Sequence, residues 1–295
     1  MSTYVLVAGN AGVSELVAAA AKLDGPVVAV VVGADEVVRA VAAPGVDKIV
    51  WLGDPGDRAV EAFAADVAKV VAADPGVVFA GRKPAERALL GAVAAAISAP
   101  VVTMPVEIAA GQVTRAIAGG IASETRSYAG PVAIVSDGGA PLTGGGSTSV
   151  EQAAASPAEV TVTDLRPNEV AAADLGTADR VVSVGRGLKA KEDLAIIEAL
   201  ATAFKAELGC SRPVAEGLDW VARDRYVGIS GQQISPQVYL AVGISGQLQH
   251  MSGCRGAQLI VSINTDKDAP IVAESDYILT GDLYTLVPAL TAALG

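Results

Sequence analysis

The sequence is poor in aromatic residues, histidine and cysteine. Aromatic side chains make up 4% of its 295 residues, and it contains one histidine and two cysteines. Cys210 and Cys254 stand far apart without metal-ligand spacing, which argues against a structural zinc site, and we expect no metal. We expect two reduced thiols in a cytoplasmic protein. Alanine and valine supply most of the 52% hydrophobic content, so the core must consist of many small contacts.

The sequence also lacks long apolar runs and an excess of positive charge. No run reaches the roughly 20 apolar residues of a transmembrane helix, so we expect a protein that is not embedded in a membrane. No basic stretch precedes the first apolar run, so no signal peptide is expected. Acidic residues outnumber basic ones by 32 to 21, and the resulting net charge of −11 argues against nucleic acid as a partner.

Strand-like and helix-like segments alternate up to residue 103. This rhythm predicts an α/β sheet with helices on both faces, and residues 27–32 are apolar on both faces, as in a covered parallel sheet. The predicted strands are 4–8, 27–32, 48–52, 77–80 and 101–103, and the predicted helices are 13–23, 35–41, 57–71 and 84–98.

Shorter segments separated by glycine follow. They predict antiparallel strands appended to the first sheet, at 106–110, 112–118, 121–128 and 132–136. Residues 137–146 are rich in glycine and predict a loop, and the alternation over 158–165 predicts one more strand. The small, polar stretch 167–178 predicts a linker between an N-terminal domain, 1–166, and a C-terminal domain, 179–295.

The α/β rhythm restarts in the second half, which predicts a Rossmann-like parallel α/β domain. The predicted strands are 180–184, 226–229, 259–263 and 277–279, a short element spans 235–240, and the predicted helices are 192–208 and 283–290. A polar or glycine-rich cluster follows each of these strands: Gly185-Arg186-Gly187, Gly228 to Gln232, Asn264-Thr265-Asp266 and Gly281-Asp282. Open α/β sheets bind ligands at the carboxyl ends of their strands, so the set predicts a nucleotide site.

One of these clusters carries an arginine, and a second arginine stands in the segment Ser211-Arg212-Pro213. The segment around Arg186 is neither a G-x-G-x-x-G fingerprint nor a Walker A loop, so it is either a phosphate-binding turn or a plain turn with a solvated arginine. Arg212 precedes Pro213, so we expect it to be extended. Its side chain then either reaches into the crevice or lies on the surface.

One hexapeptide is written twice, as Val227–Gln232 and Val242–Gln247, and His250 follows the second copy. Such glycine-serine turns leave N–H groups and hydroxyls free for a ligand, which we interpret as a flavin dinucleotide. A hydrolytic pairing of His250 with Ser230 or Ser245 is disfavoured because the G-x-S-x-G elbow is absent. We interpret His250 as a donor to a ring carbonyl or as a charge beside an anionic ring.

Together these segments resemble the α subunit of electron transfer flavoprotein over nearly the whole chain. The resemblance implies a Rossmann-like (DHS-like) FAD-binding C-terminal domain, and an N-terminal domain that docks a β subunit in which AMP is bound. It implies an electron carrier without substrate conversion of its own. Its donors would be flavin dehydrogenases such as the acyl-CoA dehydrogenases of fatty acid β-oxidation, and its acceptor a quinone oxidoreductase or an equivalent. The matching segments are Val184–Lys189, Ser211–Pro213, Tyr239–Gly246, Gln249-His250, Ile263-Asn264, Ala269–Ile271, Asp282-Leu283 and, less specifically, Thr114–Ile117.

The resemblance also implies roles for individual residues. Arg212 would lie against the isoalloxazine ring and stabilise its anionic reduced forms, Ser230 would bond the N5 edge, and His250 would lie near the C2 carbonyl. The ring and phosphates would be lined by Arg186, Ser211, Gly228, Ser245, Gly246, Gln247 and Gln249, with Val227, Ile229 and Leu248 beside them. The adenosine end would be held by Asn264, Asp282 and Leu283.

The first hexapeptide departs from the family, which commonly has Val-Gly-Gln-Thr-Gly-Lys there. Ser230 keeps the hydroxyl, but Ile229 and Gln232 change the local polarity. Two alternatives stay open. A nicotinamide-linked dehydrogenase would need a third glycine and an acid further on. A nucleotide-binding N-terminal domain would need a phosphate loop after Ala8, where residues 9–12 carry no Lys or Arg.

Overall fold

The computed structural model describes residues 1–103, 105–143, 145–146, 148–160 and 175–294. The chain divides into two compact units. The first comprises residues 1–117 and 121–166, and the second comprises residues 118–120 and 167–295. Within the described residues, no helix is long and apolar enough to cross a membrane. Residues 167–174 of the predicted linker, 167–178, and most of the predicted strand, 158–165, lie outside the described residues. Residues 175–177 form a turn in which Leu175 is buried in the core of the second unit, and residues 158–160 are not in a strand.

The first unit is built on a seven-stranded parallel sheet in the order β10-β3-β2-β1-β4-β9-β5. Strand β2 is buried along its whole length, which confirms the prediction of a strand covered on both faces. The strands are β1 (Thr3–Ala8), β2 (Val27–Val32), β3 (Lys48–Trp51), β4 (Val77–Ala80), β5 (Val101–Thr103), β9 (Val132–Val135) and β10 (Ser149–Gln152).

Helices cover both faces of this sheet, as predicted. Two separate apolar clusters result, one around Phe63 and Leu89 and the other around Leu16 and Phe79. Valine and alanine dominate both clusters, so many small side chains replace the missing aromatic ones. The helices are α1 (Ser14–Ala20), α2 (Asp35–Val41), α3 (Ala64–Ala72) and α4 (Pro84–Ala96).

The antiparallel additions are confirmed for three of the four predicted strands. Strands β6 (Pro105–Ala109), β7 (Gln112–Ile117) and β8 (Ala122–Ser127) form a small antiparallel sheet. The fourth prediction was wrong, because β9 pairs parallel with β4 and β5 inside the main sheet. All four residues of β9 are buried, as in the other strands at the centre of this sheet. Strand β10, parallel to β3, was not predicted.

The second unit contains a five-stranded parallel sheet in the order β12-β11-β13-β14-β15. Apolar clusters again lie on both of its faces. The strands are β11 (Arg180–Val184), β12 (Glu207–Cys210), β13 (Val238–Val242), β14 (Leu259–Asn264) and β15 (Tyr277–Thr280), and the helices are α5 (Leu194–Phe204), α6 (Leu248–Cys254), α7 (Pro270–Ala273) and α8 (Leu283–Leu294).

Two predictions for this unit were wrong. The helix predicted to run to Leu208 ends at Phe204, because Lys205 adopts a left-handed conformation with φ of 53° and the chain turns into β12. Residues 226–229 form no strand. Tyr226 and Val227 make only isolated bridges, to Cys210 and Gln232, within a tight turn. Helix α6 follows the second hexapeptide and was not predicted.

Candidate functional site

A cavity of about 520 Å³ opens at the carboxyl ends of β11, β12, β13 and β14. In the sheet, β12 lies on one side of β11 and β13 lies on the other, so the strand order changes direction at β11. Open α/β sheets form a ligand-binding crevice at such a point. The volume is within the range of small-molecule sites. The lining residues are Gly185, Arg186, Gly187, Ser211, Arg212, Pro213, Tyr226, Gly243, Ile244, Ser245, Gln247, Gln249, His250, Asn264, Asp266 and Ala269.

Two glycine turns meet at the floor of this crevice. The Gly187 N–H donates to the Gly243 carbonyl at 3.1 Å, and Gly243 has a φ of +62°. A Cβ atom on Gly187 would lie 2.8 Å from the Gly243 Cα, and one on Gly185 would lie 2.2 Å from the Gly243 carbonyl oxygen. Glycine is therefore required here by the close approach of the loops after β11 and β13.

Arg212 lies at the mouth of the cavity in a conformation that differs from our expectation. It is helical, with φ of −46° and ψ of −48°, because it leads directly into a π-helical turn over Pro213–Gly217. Its Nε donates to Glu216 Oε2 at 2.7 Å, and this bond raises the pKa of the guanidinium above its usual value. The pair is well exposed, so the arginine remains free to exchange Glu216 for another anion.

The other charged and polar side chains of the lining come from different turns. Arg186 is exposed and forms no ion pair with another described residue. Ser211 is buried. Asn264 is fixed by two bonds, since its Nδ2 donates to the Ile244 carbonyl at 2.8 Å and its Oδ1 accepts from the Asp266 N–H at 3.0 Å. The amide is thereby oriented before any ligand arrives.

His250 is buried on α6 and bonds to a tyrosine. Its Nε2 lies 2.8 Å from the Tyr239 hydroxyl, while the enclosed Nδ1 has no hydrogen-bond partner of good geometry among the described residues. Burial lowers the pKa of His250 to about 4, and the nearby Val227 backbone offsets part of this shift. The ring is therefore neutral near pH 7 in this structure, which favours the role of a neutral donor over that of a charge.

Only part of the predicted site set lines the cavity. Ser230 is adjacent, because its hydroxyl bonds the hydroxyl of the lining residue Tyr226 at 3.2 Å. Asp282 accepts from the Tyr284 N–H at the start of α8, and Leu283 packs in the core. The predicted residues in the lining are Arg186, Ser211, Arg212, Ser245, Gln247, Gln249, His250 and Asn264. The predicted residues outside it are Val227, Gly228, Ile229, Ser230, Gly246, Leu248, Asp282 and Leu283.

Some lining residues were not among the predicted site residues. Asp266 belongs to the polar cluster Asn264-Thr265-Asp266, which was expected to follow a strand, so its place in the sequence could have identified it as a site residue. Tyr226 immediately precedes the first hexapeptide, but nothing in the sequence alone points its ring toward the cavity. No group of three or more potential metal ligands occurs in the parts of the chain that the structure describes.

Comparison with known proteins connects this cavity to a family. Residues 174–255, which include most of its lining, match the electron transfer flavoprotein FAD-binding domain, and residues 10–168 match the electron transfer flavoprotein domain. FixB of Salmonella typhimurium LT2 is 39% identical over 260 residues, which is 83% of each chain. FixB of Escherichia coli K12 DH10B is 39% identical over 255 residues, 82% of each chain.

YdiR of Escherichia coli K12 is 50% identical over 136 residues, which is 46% of this chain and 44% of YdiR. The two domain matches follow one another along the chain, and the second covers β11, β12 and β13 with the glycine turns after β11 and β13. On these grounds the chain belongs to the electron transfer flavoprotein family, as a subunit of the α type.

Proposed function

We propose that the cavity binds one FAD and that the chain is the α subunit of a heterodimeric electron carrier. The observation that carries the proposal is the convergence of four strand-end turns on one cavity, with Arg186, Arg212 and His250 among its lining. Cationic side chains suit the pyrophosphate, and an imidazole N–H suits a ring carbonyl. FAD, when bound, supplies the capacity to accept electrons and pass them on.

The two arginines have different tasks in this proposal. Arg186 follows β11 at the switch point, where a nucleotide pyrophosphate is usually held, and it serves as the counter-charge of the phosphates. Arg212 follows β12 and exchanges Glu216 for the negative charge that the flavin gains on reduction. A cation beside the ring raises the flavin potential.

The remaining contacts follow the family pattern. Ser230 bonds the N5 edge, with Tyr226 holding its hydroxyl in place. Ser211, Ser245, Gly246, Gln247 and Gln249 line the ring and the phosphates, with Val227, Gly228, Ile229 and Leu248 beside them. Asn264, Asp282 and Leu283 hold the adenosine end.

We further propose the context in which the carrier works. Residues 1–166 dock a β subunit that contains AMP, residues 167–178 form the linker, and residues 179–295 hold FAD. Electrons arrive from flavin dehydrogenases such as acyl-CoA dehydrogenases, and they leave to a quinone oxidoreductase or an equivalent acceptor. The carrier operates in the cytoplasm and converts no substrate of its own. The 39% identity to FixB proteins over more than four fifths of the chain supports this proposal.

A spectrum of the purified complex tests the proposal. The chain is co-expressed with the gene product encoded beside it, and the visible spectrum and the extractable flavin are measured. We expect flavin absorption with one FAD per chain, and its bleaching by a reduced acyl-CoA dehydrogenase. A colourless complex that takes up no FAD would sink the proposal. Bleaching by NADH alone would instead favour the nicotinamide-linked alternative.

A further inference from the structure

The turn after β11, residues 185–190, is held at both of its ends, and we call it the phosphate turn. It carries Arg186, the proposed counter-charge of the phosphates. At its first end, the Gly185 N–H donates to the Val242 carbonyl at 2.9 Å. The Arg186 side chain is exposed and forms no ion pair with another described residue. Its place therefore depends on how firmly the backbone of the turn is held.

The second end of the phosphate turn is fixed by Tyr284, the second residue of α8. The Tyr284 hydroxyl accepts from the Lys189 N–H at 2.8 Å and donates to Asp193 Oδ2. The same carboxylate oxygen accepts from the Ala190 N–H at 3.0 Å. The direction of each bond follows from the groups, because a backbone N–H only donates and a carboxylate only accepts. Partial burial and the bond to Asp193 raise the pKa of Tyr284, so the hydroxyl keeps the proton that it donates.

The same tyrosine stands beside the turn after β15, which is proposed to hold the adenosine end. The Tyr284 N–H donates to Asp282 Oδ1 at 3.0 Å. Leu283 packs in one apolar cluster with Leu188 of the phosphate turn, and a Cβ atom on Gly187 would lie 3.1 Å from Leu283 Cδ2. The turns after β11 and β15 are thus joined directly, although β13 and β14 separate these strands in the sheet.

We propose that Tyr284 is a positioning residue, whose hydroxyl bonds to Lys189 and Asp193 hold the phosphate turn so that Arg186 is in place for the pyrophosphate of FAD. This inference rests on the proposed FAD site. Arg186 lines the cavity and Tyr284 does not, so the tyrosine acts through the turn that carries the arginine. A turn that is ordered before FAD binds loses less conformational entropy on binding, which strengthens the affinity.

The affinity for FAD measures this effect. The full chain and its partner subunit are freed of flavin and titrated with FAD. Tyr284→Phe keeps the ring but loses both bonds of the hydroxyl, and we expect about fivefold weaker binding, the value of one neutral hydrogen bond. Tyr277→Phe removes a hydroxyl from an exposed residue of β15 outside the cavity lining, and it should leave the affinity unchanged. Wild-type affinity in folded Tyr284→Phe would overturn the proposal.

Asp193 supplies a second pair of variants that does not alter the tyrosine. Asp193→Asn keeps an oxygen that accepts from the Tyr284 hydroxyl, so it should retain most of the affinity. Asp193→Ala removes the acceptor and should weaken FAD binding at least as much as Tyr284→Phe. This pair carries the test if Tyr284→Phe does not fold. Equal affinities of Asp193→Ala and the wild type would refute the role of the bond.

Removing Arg186 separates positioning from a general loosening of the second unit. Arg186→Gln is expected to weaken FAD binding by itself, because it removes the proposed counter-charge. In that background, Tyr284→Phe should weaken binding further by less than about twofold, since residues that act through one another are not additive. The same fivefold loss with and without Arg186 would show that Tyr284 does not act through the arginine, and the proposal would fall.

The potential of the bound flavin gives an independent readout. We expect the same potential in Tyr284→Phe and in the wild type, because the tyrosine acts at the phosphates and not at the ring. A shifted potential would place its effect at the ring and contradict the inference. If the wild-type complex takes up no FAD, the proposed function fails and this inference with it. If the wild type binds FAD and Tyr284→Phe binds it equally well, this inference alone fails.

Discussion

The backbone N–H of Ile229 donates to the carbonyl of Gln249 at 2.8 Å. This bond joins the first hexapeptide to the segment that follows the second. A Cβ atom on Gly253 would lie 2.3 Å from the Gly228 nitrogen, so helix α6 packs directly against the first copy. The two copies, similar in sequence, therefore form one packed unit in which the first is a closed turn and the second connects β13 to α6.

Gly246→Ala is expected to destabilise the second unit by about 2 kcal/mol or more. Gly246 has a φ of +79°, and an added Cβ would lie 2.3 Å from the backbone nitrogen of Ile271, which itself donates to the Ser245 carbonyl. Chemical denaturation of the purified chain measures the free energy of unfolding. Gly91→Ala is the control, because it adds the same atom to an exposed helical position with nothing within 4 Å, and it should stabilise by about 0.5–1 kcal/mol. Equal effects of the two substitutions would contradict the close contact at Gly246.

Lys205→Gly is expected to stabilise the chain by about 1 kcal/mol. Lys205 ends α5 with a φ of 53°, which a side chain disfavours and glycine adopts freely. Lys205→Ala removes the same charge but keeps the Cβ atom, so it should bring no such gain. A stabilisation of similar size in both variants would show that the charge, and not the backbone conformation, is responsible.

Most strands could be predicted from the sequence, because the apolar segments of the sequence are the segments that the structure buries in its sheets. Strand β2 is apolar at every position and is buried throughout, as expected. Strand β9 has the same composition, but its glycine-rich neighbours suggested an antiparallel hairpin, and only its long-range pairing with β4 and β5 places it in the main sheet. Local patterns do not encode which strands become neighbours.

The candidate site was also predicted only in part, because local sequence patterns do not show every element that contributes to it. The positions after β11 and β14 were identifiable because polar residues directly follow apolar runs. Strand β12 was not predicted because Leu208 continues the helical spacing of the apolar residues of α5. The left-handed conformation of Lys205, which separates the helix from the strand, has no signature in the sequence. The helical conformation of Arg212 was missed because the following π-helical turn overrides the usual preference before proline.

Stability should fall as the pH drops from about 6.5 toward about 4, partly through His250. Its pKa is lowered from 6.5 to about 4 in the folded protein, so only the unfolded chain takes up a proton in that window. This stabilisation is complete above pH 6.5, and about 2 kcal/mol of it should be lost by pH 5. Denaturation of wild-type protein and His250→Gln across this range isolates the contribution. Parallel pH profiles of the two proteins would contradict a buried neutral histidine.

Arg212→Gln is expected to retain FAD and to lower the potential of the bound flavin, on the order of 30 mV. Among the described residues, the exposed guanidinium forms an ion pair with Glu216 alone, so it can turn toward negative charge on the ring. Spectroelectrochemical titration measures the potential. Arg212→Lys should keep most of the effect, and Arg223→Gln, in a turn that does not line the cavity, serves as the control. A potential unchanged in Arg212→Gln would remove Arg212 from the ring site.

The most direct test of the central claim is the FAD content of a variant with a filled cavity. Ser245 lines the cavity on its exposed side, so Ser245→Phe places a ring inside it without disturbing the core. Thr285→Phe adds the same ring at an exposed position of α8 outside the lining. We expect extractable FAD close to one per chain in the wild type and in Thr285→Phe, and a loss of FAD in a folded Ser245→Phe. Full FAD content in Ser245→Phe would show that the flavin does not occupy this cavity.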